Sequence, residues 1–359
     1  MQWHELTVSR LIKEANQTLC VEFEVPPTLA DTFAFQPGQY LTLQVLINGA
    51  PVRRSYSICA RLGGPLIVAI KKIDGGAFSQ FAHDQLAVGS TLQVAPPDGQ
   101  FVHTVTPQHS GNYLCIAAGS GITPIISIVE SVLAGEPDSR ISLLYGNRQA
   151  TDIIFRERLL WLKNAHMTRF QWLNLFSRER QEAEVLNGRI DERIAELVDR
   201  KLVNLDTFDA FFLCGPQAMT AEVSRRLRTH GIPQSRIHCE LFFASAEHVR
   251  EALARQRKRA EKFADLRTQV LVRRGGREVS FELSADGENI LDGAINSGLE
   301  LPFSCKGGVC ATCKARVVEG EVEMDVNHAL GSDEVAAGYV LTCQSHPISQ
   351  RVHVDFDVV

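Results

Sequence analysis

The sequence predicts a multidomain α+β chain: an N-terminal antiparallel β-barrel, a doubly wound parallel α/β sheet, and a small β-rich module at the C-terminal end. Three observations predict it. Short strand-like runs separated by turns fill residues 1 to about 105, and apolar runs alternate with helical stretches from about 110 to 243. Near the C-terminus, Cys305, Cys310, Cys313 and Cys343 stand in a C-x4-C-x2-C spacing followed by a distant fourth cysteine, as [2Fe-2S] ligands of the plant type do. A chain of 359 residues exceeds one core of ordinary size, so two or three domains are expected, and the motifs divide it into three. We place these domains at 1–105, 106–245 and 268–359, with a charged connection at 246–267.

In the first region the expected strands are Thr7 to Lys13, Thr18 to Val25, Gln39 to Ile47, Ser55 to Ala60, Leu66 to Ile73 and Thr91 to Ala95. In the second, Tyr113 to Ala118, Ile141 to Asn147, Phe170 to Phe176 and Ala210 to Cys214 are strand-like, with helical stretches such as Phe155 to Asn164 between them. The apolar stretch Tyr113 to Gly135 contains Gly119, Gly121 and Pro124, which divide it into strand, turn and helix and argue against a membrane span. Ala246 to Arg267 is rich in charge and in helix formers, and is expected to be a helical linker; binding of nucleic acid or anionic lipid is the alternative reading of its basic residues. Beyond it, Gln269 to Arg274 and Glu278 to Leu283 form a hairpin around Gly275-Gly276, Ile290 to Ser297 is helical, and Arg351 to Phe356 is a closing strand.

Composition is that of a soluble globular protein, with 45% hydrophobic and 22% charged residues. The start, Met1-Gln2-Trp3-His4-Glu5, lacks a signal-peptide pattern, so a reducing cytoplasm is expected, where nine cysteines favour metal ligation over disulfides. Charge is uneven: Thr268 to Val359 carries 14 acidic and 7 basic side chains, whereas Ala246 to Arg267 carries 4 and 7. The acidic module suits docking on a basic partner, though plain solubility explains it equally.

The cysteine loop Cys305-Lys306-Gly307-Gly308-Val309-Cys310-Ala311-Thr312-Cys313 has glycines that let the backbone wrap a cluster. Structural zinc is the rival, but zinc knuckles usually present separate C-x2–4-C pairs. In the barrel, Arg54 and Tyr56 share one strand face, so a guanidinium could hold a flavin pyrophosphate while the phenol packs on the ring, and Ser57 could bond the ring's N5 edge. Gly75-Gly76-Ala77-Phe78-Ser79 precedes a helix, where Ser79 is either an N-cap or a phosphate contact. Gly119-Ser120-Gly121-Ile122-Thr123-Pro124 is a strand-to-helix glycine turn open to a pyrophosphate, and Cys214-Gly215-Pro216 ends another buried strand at the edge where open α/β sheets bind ligands. Cys20, Cys59, Cys115 and Cys239 are expected to be packed thiols, and the histidines show no paired metal spacing.

The order of Phe35-Gln36-Pro37-Gly38-Gln39, Arg54-Ser55-Tyr56-Ser57, Gly76 to Ser79, Gly119 to Pro124, Tyr145-Gly146-Asn147-Arg148, Cys214-Gly215-Pro216 and the cysteine loop resembles a ferredoxin-NADP reductase fused to a plant-type, β-grasp ferredoxin. Within that superfamily the chain particularly resembles the reductase subunits of phenylacetyl-CoA epoxidase complexes, notably at Tyr145 to Arg148, Pro302 to Lys314 and Ala336 to Leu341. The resemblance implies FAD held by Arg54, Tyr56, Ser57, Lys71, Gly76, Phe78 and Ser79, and NADP at Gly119, Gly121, Thr123 and Pro124. It further implies Cys214, with Gly215 and Pro216, beside the nicotinamide, Glu240 and Phe242 closing over the flavin, and a [2Fe-2S] cluster on the four cysteines. Ser57, Cys214 and Glu240 would position the rings and tune proton supply.

A hydride carries two electrons and a [2Fe-2S] cluster takes one, so a flavin between them is the expected converter. The expected path runs from NADPH, with NADH as the alternative, through FAD and the cluster to an oxygenase, the di-iron phenylacetyl-CoA epoxidase being the partner that the resemblance implies. Arg148, Arg178 and Arg180 are candidates for a 2′-phosphate contact. A reductase for another oxygenase, hydroxylase or desaturase, or a low-turnover redox sensor, are the other readings. Nucleic-acid or membrane partners are not expected.

Overall fold

The computed structural model describes residues 2–47, 49–199, 202–241, 255, 258–263, 266–303, 307–308, 311–327 and 329–358. The chain forms two compact units, residues 2–242 and 243–359.

The first unit begins with six antiparallel strands: β1 (His4–Glu14), β2 (Thr18–Glu24), β3 (Tyr40–Ile47), β4 (Ala50–Ser57), β5 (Leu66–Lys71) and β6 (Thr91–Val94). They pair in the order β4-β3-β6-β1-β2-β5, and a bridge between Ile58 and Val68 draws the two ends together into a barrel. Alternate residues such as Leu6 and Val8, Val21 and Phe23, Leu41 and Leu43, and Val68 and Ile70 are buried, as the two-residue period of a strand requires. β4 starts five residues before the Ser55 to Ala60 run expected from hydrophobicity. Ile47 pairs with Ala50, so the hairpin turns between them, with Gly49 at φ +80°. An Asn-Gly pair in the sequence is a strong hairpin signal, and this tight turn extends pairing through the polar Arg53–Ser55 segment. The helix α1 (Ala77–Asp84) buries Phe78 and Ala82 against the barrel.

The same unit continues as five parallel strands, β7 (Asn112–Ala118), β8 (Arg140–Asn147), β9 (Phe170–Phe176), β10 (Ala210–Gly215) and β11 (Ile237–Leu241), in the order β11-β10-β7-β8-β9. The order reverses at β7, the switch point of a doubly wound sheet. Helices α2 (Ile122–Gly135), α3 (Arg156–Ala165), α4 (Ile190–Asp199) and α5 (Gln217–Thr229) connect the strands. β11 was not expected from the sequence: Ile237-His238-Cys239-Glu240-Leu241 alternates polar and apolar because it is an edge strand, unlike the continuous apolar runs of β7 and β10. That edge position also leaves Cys239 exposed and not a packed thiol, whereas Cys20, Cys59 and Cys115 are buried.

Barrel and sheet share a core in which Cys20, Cys59, Ala69 and Phe101 meet Ile125, Val129 and Phe155. Polar contacts fix the same joint. Arg158 donates to both carboxylate oxygens of Glu130 at 2.9 and 2.8 Å and to the Cys59 carbonyl at 2.7 Å. Ser127 donates to the Ala60 carbonyl at 2.6 Å, and the Leu62 amide donates to Ser131 at 2.8 Å.

The second unit holds β12 (Arg267–Arg274), β13 (Arg277–Ser284), α6 (Ile290–Asn296), β14 (Lys314–Glu319), β15 (Val322–Met324), α7 (Ser332–Ala336), β16 (Tyr339–Leu341), β17 (Ser345–Pro347) and β18 (Arg351–Asp355). Its five-stranded sheet runs β13-β12-β18-β14-β16, with β12 and β18 parallel and the other pairs antiparallel, and β15 pairs with β17. The β12–β13 hairpin turns at Gly275-Gly276, both at positive φ, and Asn289 caps α6 by accepting from the Asp292 amide at 2.9 Å. Of the charged connection, residues 255 and 258–262 are helical and most of the remainder lies outside the described residues. Arg259 in that segment is fully buried and donates to the Ala285 carbonyl at 2.6 Å and to Asp325 at 2.5 Å. No helix among the described residues is long and apolar enough to cross a membrane.

Candidate functional site

At the end of β4, Ser57 is 3% exposed and its hydroxyl donates to Glu240 Oε2 at 3.3 Å. Parallel register sets Glu240 of β11 opposite Cys214 of β10, and Cys214 in turn opposite Ala117 of β7. The three residues expected to position the rings thus converge from three strands, one on the barrel and two on the parallel sheet. Cys214 is fully buried, and burial, reinforced by the Glu240 charge, raises its thiol well above the usual range. It stays protonated and is a neutral packing group, not a nucleophile.

One strand position earlier, Tyr56 packs its ring on Phe78 at 5.5 Å between centroids. Phe78 is 1% exposed, so α1 is anchored by a side chain whose burial is worth about 1.5–3 kcal/mol. Burial also raises the Tyr56 phenol, an effect that Arg54 opposes. Arg54 itself is exposed, with Nη1 donating to the Arg53 carbonyl at 2.6 Å. Ser79 is not the N-cap: Gly76 is, and Ser79 lies in the first turn, where its hydroxyl accepts from the Ile73 amide at 3.1 Å and donates to the Gly76 carbonyl at 3.1 Å. A side chain at Gly76 would meet Ser79 Oγ at 2.6 Å, so both residues serve to close this turn.

The glycine turn lies at the carboxyl end of β7. Gly119 has φ +55°, and a Cβ on Gly121 would sit 2.2 Å from the Cys214 carbonyl oxygen, so only glycine lets this turn pack against β10. Thr123 donates to the Ser120 carbonyl at 3.1 Å and Pro124 is buried in the first turn of α2; both shape the turn from beneath. Tyr145, fully buried on β8, donates to the Gly119 carbonyl at 2.9 Å. Gly215 and Pro216 lead from β10 into α5, with Pro216 as its N-cap. Arg148 is exposed just beyond β8, and its carbonyl accepts from the Arg178 amide at 2.8 Å, which sets two of the arginine candidates side by side; Arg180 is also exposed. Lys71, at the end of β5, has its ammonium lowered by burial and then by Arg148, so cations from barrel and sheet approach one another.

Sequence reasoning quoted Asn147 within the Tyr145–Arg148 motif but gave it no role; it is 8% exposed while neither of its amide atoms is hydrogen-bonded. A buried polar residue closing an apolar strand, just before an arginine, was the available signal. Together, the glycine cradle under Gly121, this unpaired amide and the exposed arginines fit a phosphorylated dinucleotide at the sheet edge.

In the second unit, Cys313 and Cys343 are 2% and 4% exposed. Register pairs Lys314 with Leu341, and Thr342 donates through both Oγ1 and N to the Cys313 carbonyl at 2.9 and 3.2 Å, which draws the two thiols to one end of the sheet. Gly308 has φ +75° and a Cβ there would meet the Val326 carbonyl at 2.8 Å, while Gln344 Nε2 lies 3.7 Å from Cys343 Sγ as a donor to sulfur. This donor set fits a thiolate-held cluster. Cys305, Cys310 and Phe242 lie outside the described residues.

Family profiles match three stretches: an oxidoreductase FAD-binding domain at 5–103, an oxidoreductase NAD-binding domain at 115–225 and a 2Fe-2S iron-sulfur cluster binding domain at 272–347. The chain is 41% identical to a subunit of the 1,2-phenylacetyl-CoA epoxidase of Escherichia coli K12, over 99% of this chain and 98% of that one. It is 30% identical to the ferredoxin reductase component of 3-ketosteroid-9-alpha-monooxygenase from Rhodococcus rhodochrous, over 98% and 96%. Phthalate dioxygenase reductase, at 22% identity and a TM-score of 0.66 over 99% and 98% of the two chains, shares the fold.

Proposed function

Because the chain belongs to the family of FAD- and NAD-binding reductases with a C-terminal [2Fe-2S] domain, we propose that it passes electrons from NADPH to the di-iron oxygenase of a phenylacetyl-CoA epoxidase. The likeness to an epoxidase component along the full chain supports the choice of partner. Convergence of Ser57, Cys214 and Glu240 supports the path, since it sets the flavin-binding end of the barrel against the nucleotide edge of the sheet. When bound, FAD would supply the exchange between two-electron and one-electron chemistry that no side chain supplies.

In this reading Arg54 and Lys71 hold the flavin's phosphates, Tyr56 walls its ring with the buried Phe78 packed behind it, and Gly76 and Ser79 keep the α1 turn closed. Gly119 and Gly121 admit the nucleotide pyrophosphate, Asn147 supplies an amide, and Arg148, with Arg178 and Arg180, takes a 2′-phosphate. Ser57 Oγ and Glu240 Oε2, at 3.3 Å, form a path for a proton between the buried strand end and the partly exposed edge strand. Cys214 would keep the nicotinamide contact apolar and neutral. The cluster is held by Cys305, Cys310, Cys313 and Cys343.

The test mixes this protein, NADPH and oxygen with the epoxidase oxygenase and phenylacetyl-CoA, after NADPH is seen to bleach the flavin and cluster absorbance. Coupled epoxide formation is expected. Bleaching without epoxide would keep the reductase and discard this oxygenase, and absence of bleaching would discard the reductase itself.

A further inference from the structure

At the opposite end of the parallel sheet from the nucleotide edge, His103, His109 and Glu136 place three ligand atoms within 4.8 Å of one another. Glu136, which follows α2, is 0% exposed. Its Oε1 faces His103 Nε2 at 2.7 Å and His109 Nδ1 at 3.2 Å, while Oε2 accepts from Tyr113 Oη at 3.2 Å and Ser139 Oγ at 2.7 Å. Arg169, the nearby guanidinium, is spent on the Leu133, Glu136 and Ser139 carbonyls. The ion-pair partners described for this carboxylate are therefore the two imidazoles.

We infer that His103, His109 and Glu136 bind a divalent transition-metal ion of the zinc class, independently of the electron path. Two imidazole nitrogens and one carboxylate oxygen are a known three-residue zinc set, with water in the fourth position. His109 is the open side, its side chain 47% exposed against 11% for His103. Tyr113 and Ser139 hold the far carboxylate oxygen, as outer-shell donors do around metal ligands. Ligand bonds of about 2.0–2.2 Å would widen the 2.7 Å His103 contact and draw the two imidazole nitrogens, which lie within 4.8 Å, closer together. The ion displaces any proton shared between Glu136 and the imidazoles into solvent. Sequence reading missed the site because His103 and His109 lie in the segment between β6 and β7 and their third partner is 27 or more residues further on. The ion would tie that segment to the end of α2.

The experiment uses the full chain with flavin and cluster loaded, stripped by chelator and re-equilibrated with zinc sulfate. Expected are one retained zinc per chain, a zinc-dependent rise in Tm, and zinc K-edge scattering from nitrogen and oxygen at about 2.0–2.1 Å without the sulfur shell at about 2.3 Å. His109→Ala, at a half-exposed position, should lose the retained zinc. Tyr113→Phe, which touches no metal, should weaken zinc binding roughly 10–100-fold. Failure to retain zinc, sulfur ligation, or zinc retention unchanged in His109→Ala would each overturn the assignment, as would a His109→Ala Tm loss that is the same with and without zinc.

Discussion

Gly121 carries a steric demand that no other side chain meets, because the atom a Cβ would strike belongs to the β10 backbone and cannot swing aside. Gly121→Ala is expected to cost about 1–3 kcal/mol in denaturant unfolding and to raise the KM for NADPH. Ser57 and Glu240 make a different prediction, since their hydrogen bond spans two strands without being central to either core. Ser57→Ala or Glu240→Gln should leave FAD bound and slow flavin reduction roughly tenfold, the effect of about 1.4 kcal/mol, in stopped-flow traces. The double variant should be little slower than either single one if the two act as a relay. The glycines and the arginine-tyrosine-serine strand were legible in the sequence because their spacing is local. Ser79's true position was not, since a cap and a first-turn serine differ only in where the helix starts.

Among elements, α2 and α3 do most to join barrel and sheet. Arg158 bridges Glu130 and the Cys59 carbonyl with 31% of its side chain exposed, so Arg158→Ala should cost about 2–3 kcal/mol, somewhat less than a fully buried pair. Loosening of FAD alongside that loss, measured by flavin release on heating, would show that the joint supports the cofactor. In the second unit, burial would raise the Asp325 carboxyl, but hydrogen bonds from His346 and Arg259 outweigh it and hold the group below its ordinary 3.8. A depressed carboxylate contributes stability above its unfolded value and loses it as pH falls through the folded one. Acid unfolding of the full chain should therefore flatten below about pH 4 in Asp325→Asn relative to the parent, and an unchanged slope would contradict this assignment. The strand β11 shows why an element can escape the sequence: its residues alternate polar and apolar, as suits a strand at the edge of the sheet among the described residues.

For the whole molecule, charge and modularity set what can be expected of electron delivery. The last region, Thr268 to Val359, has twice as many acidic as basic side chains, 14 against 7. Delivery to a protein acceptor should slow as ionic strength rises, because a Debye length of about 10 Å at 0.1 M salt shrinks to about 3 Å at 1 M. Reduction of a small neutral acceptor by the flavin should change little over the same range. Equal salt dependence for both acceptors would remove the steering role of this region.

The sequence by itself determined the fold class, the cysteine spacing, the glycine turns and the strand carrying Arg54, Tyr56 and Ser57, since each rests largely on local residue patterns. Tertiary structure decided which of these meet: Ser57 with Glu240, Gly121 with Cys214, Cys313 with the Thr342 turn, and His103 and His109 with Glu136. Such contacts depend on strand order and register. A hydrophobic period reveals that a strand exists and which face it buries, but it does not say which strand becomes its neighbour.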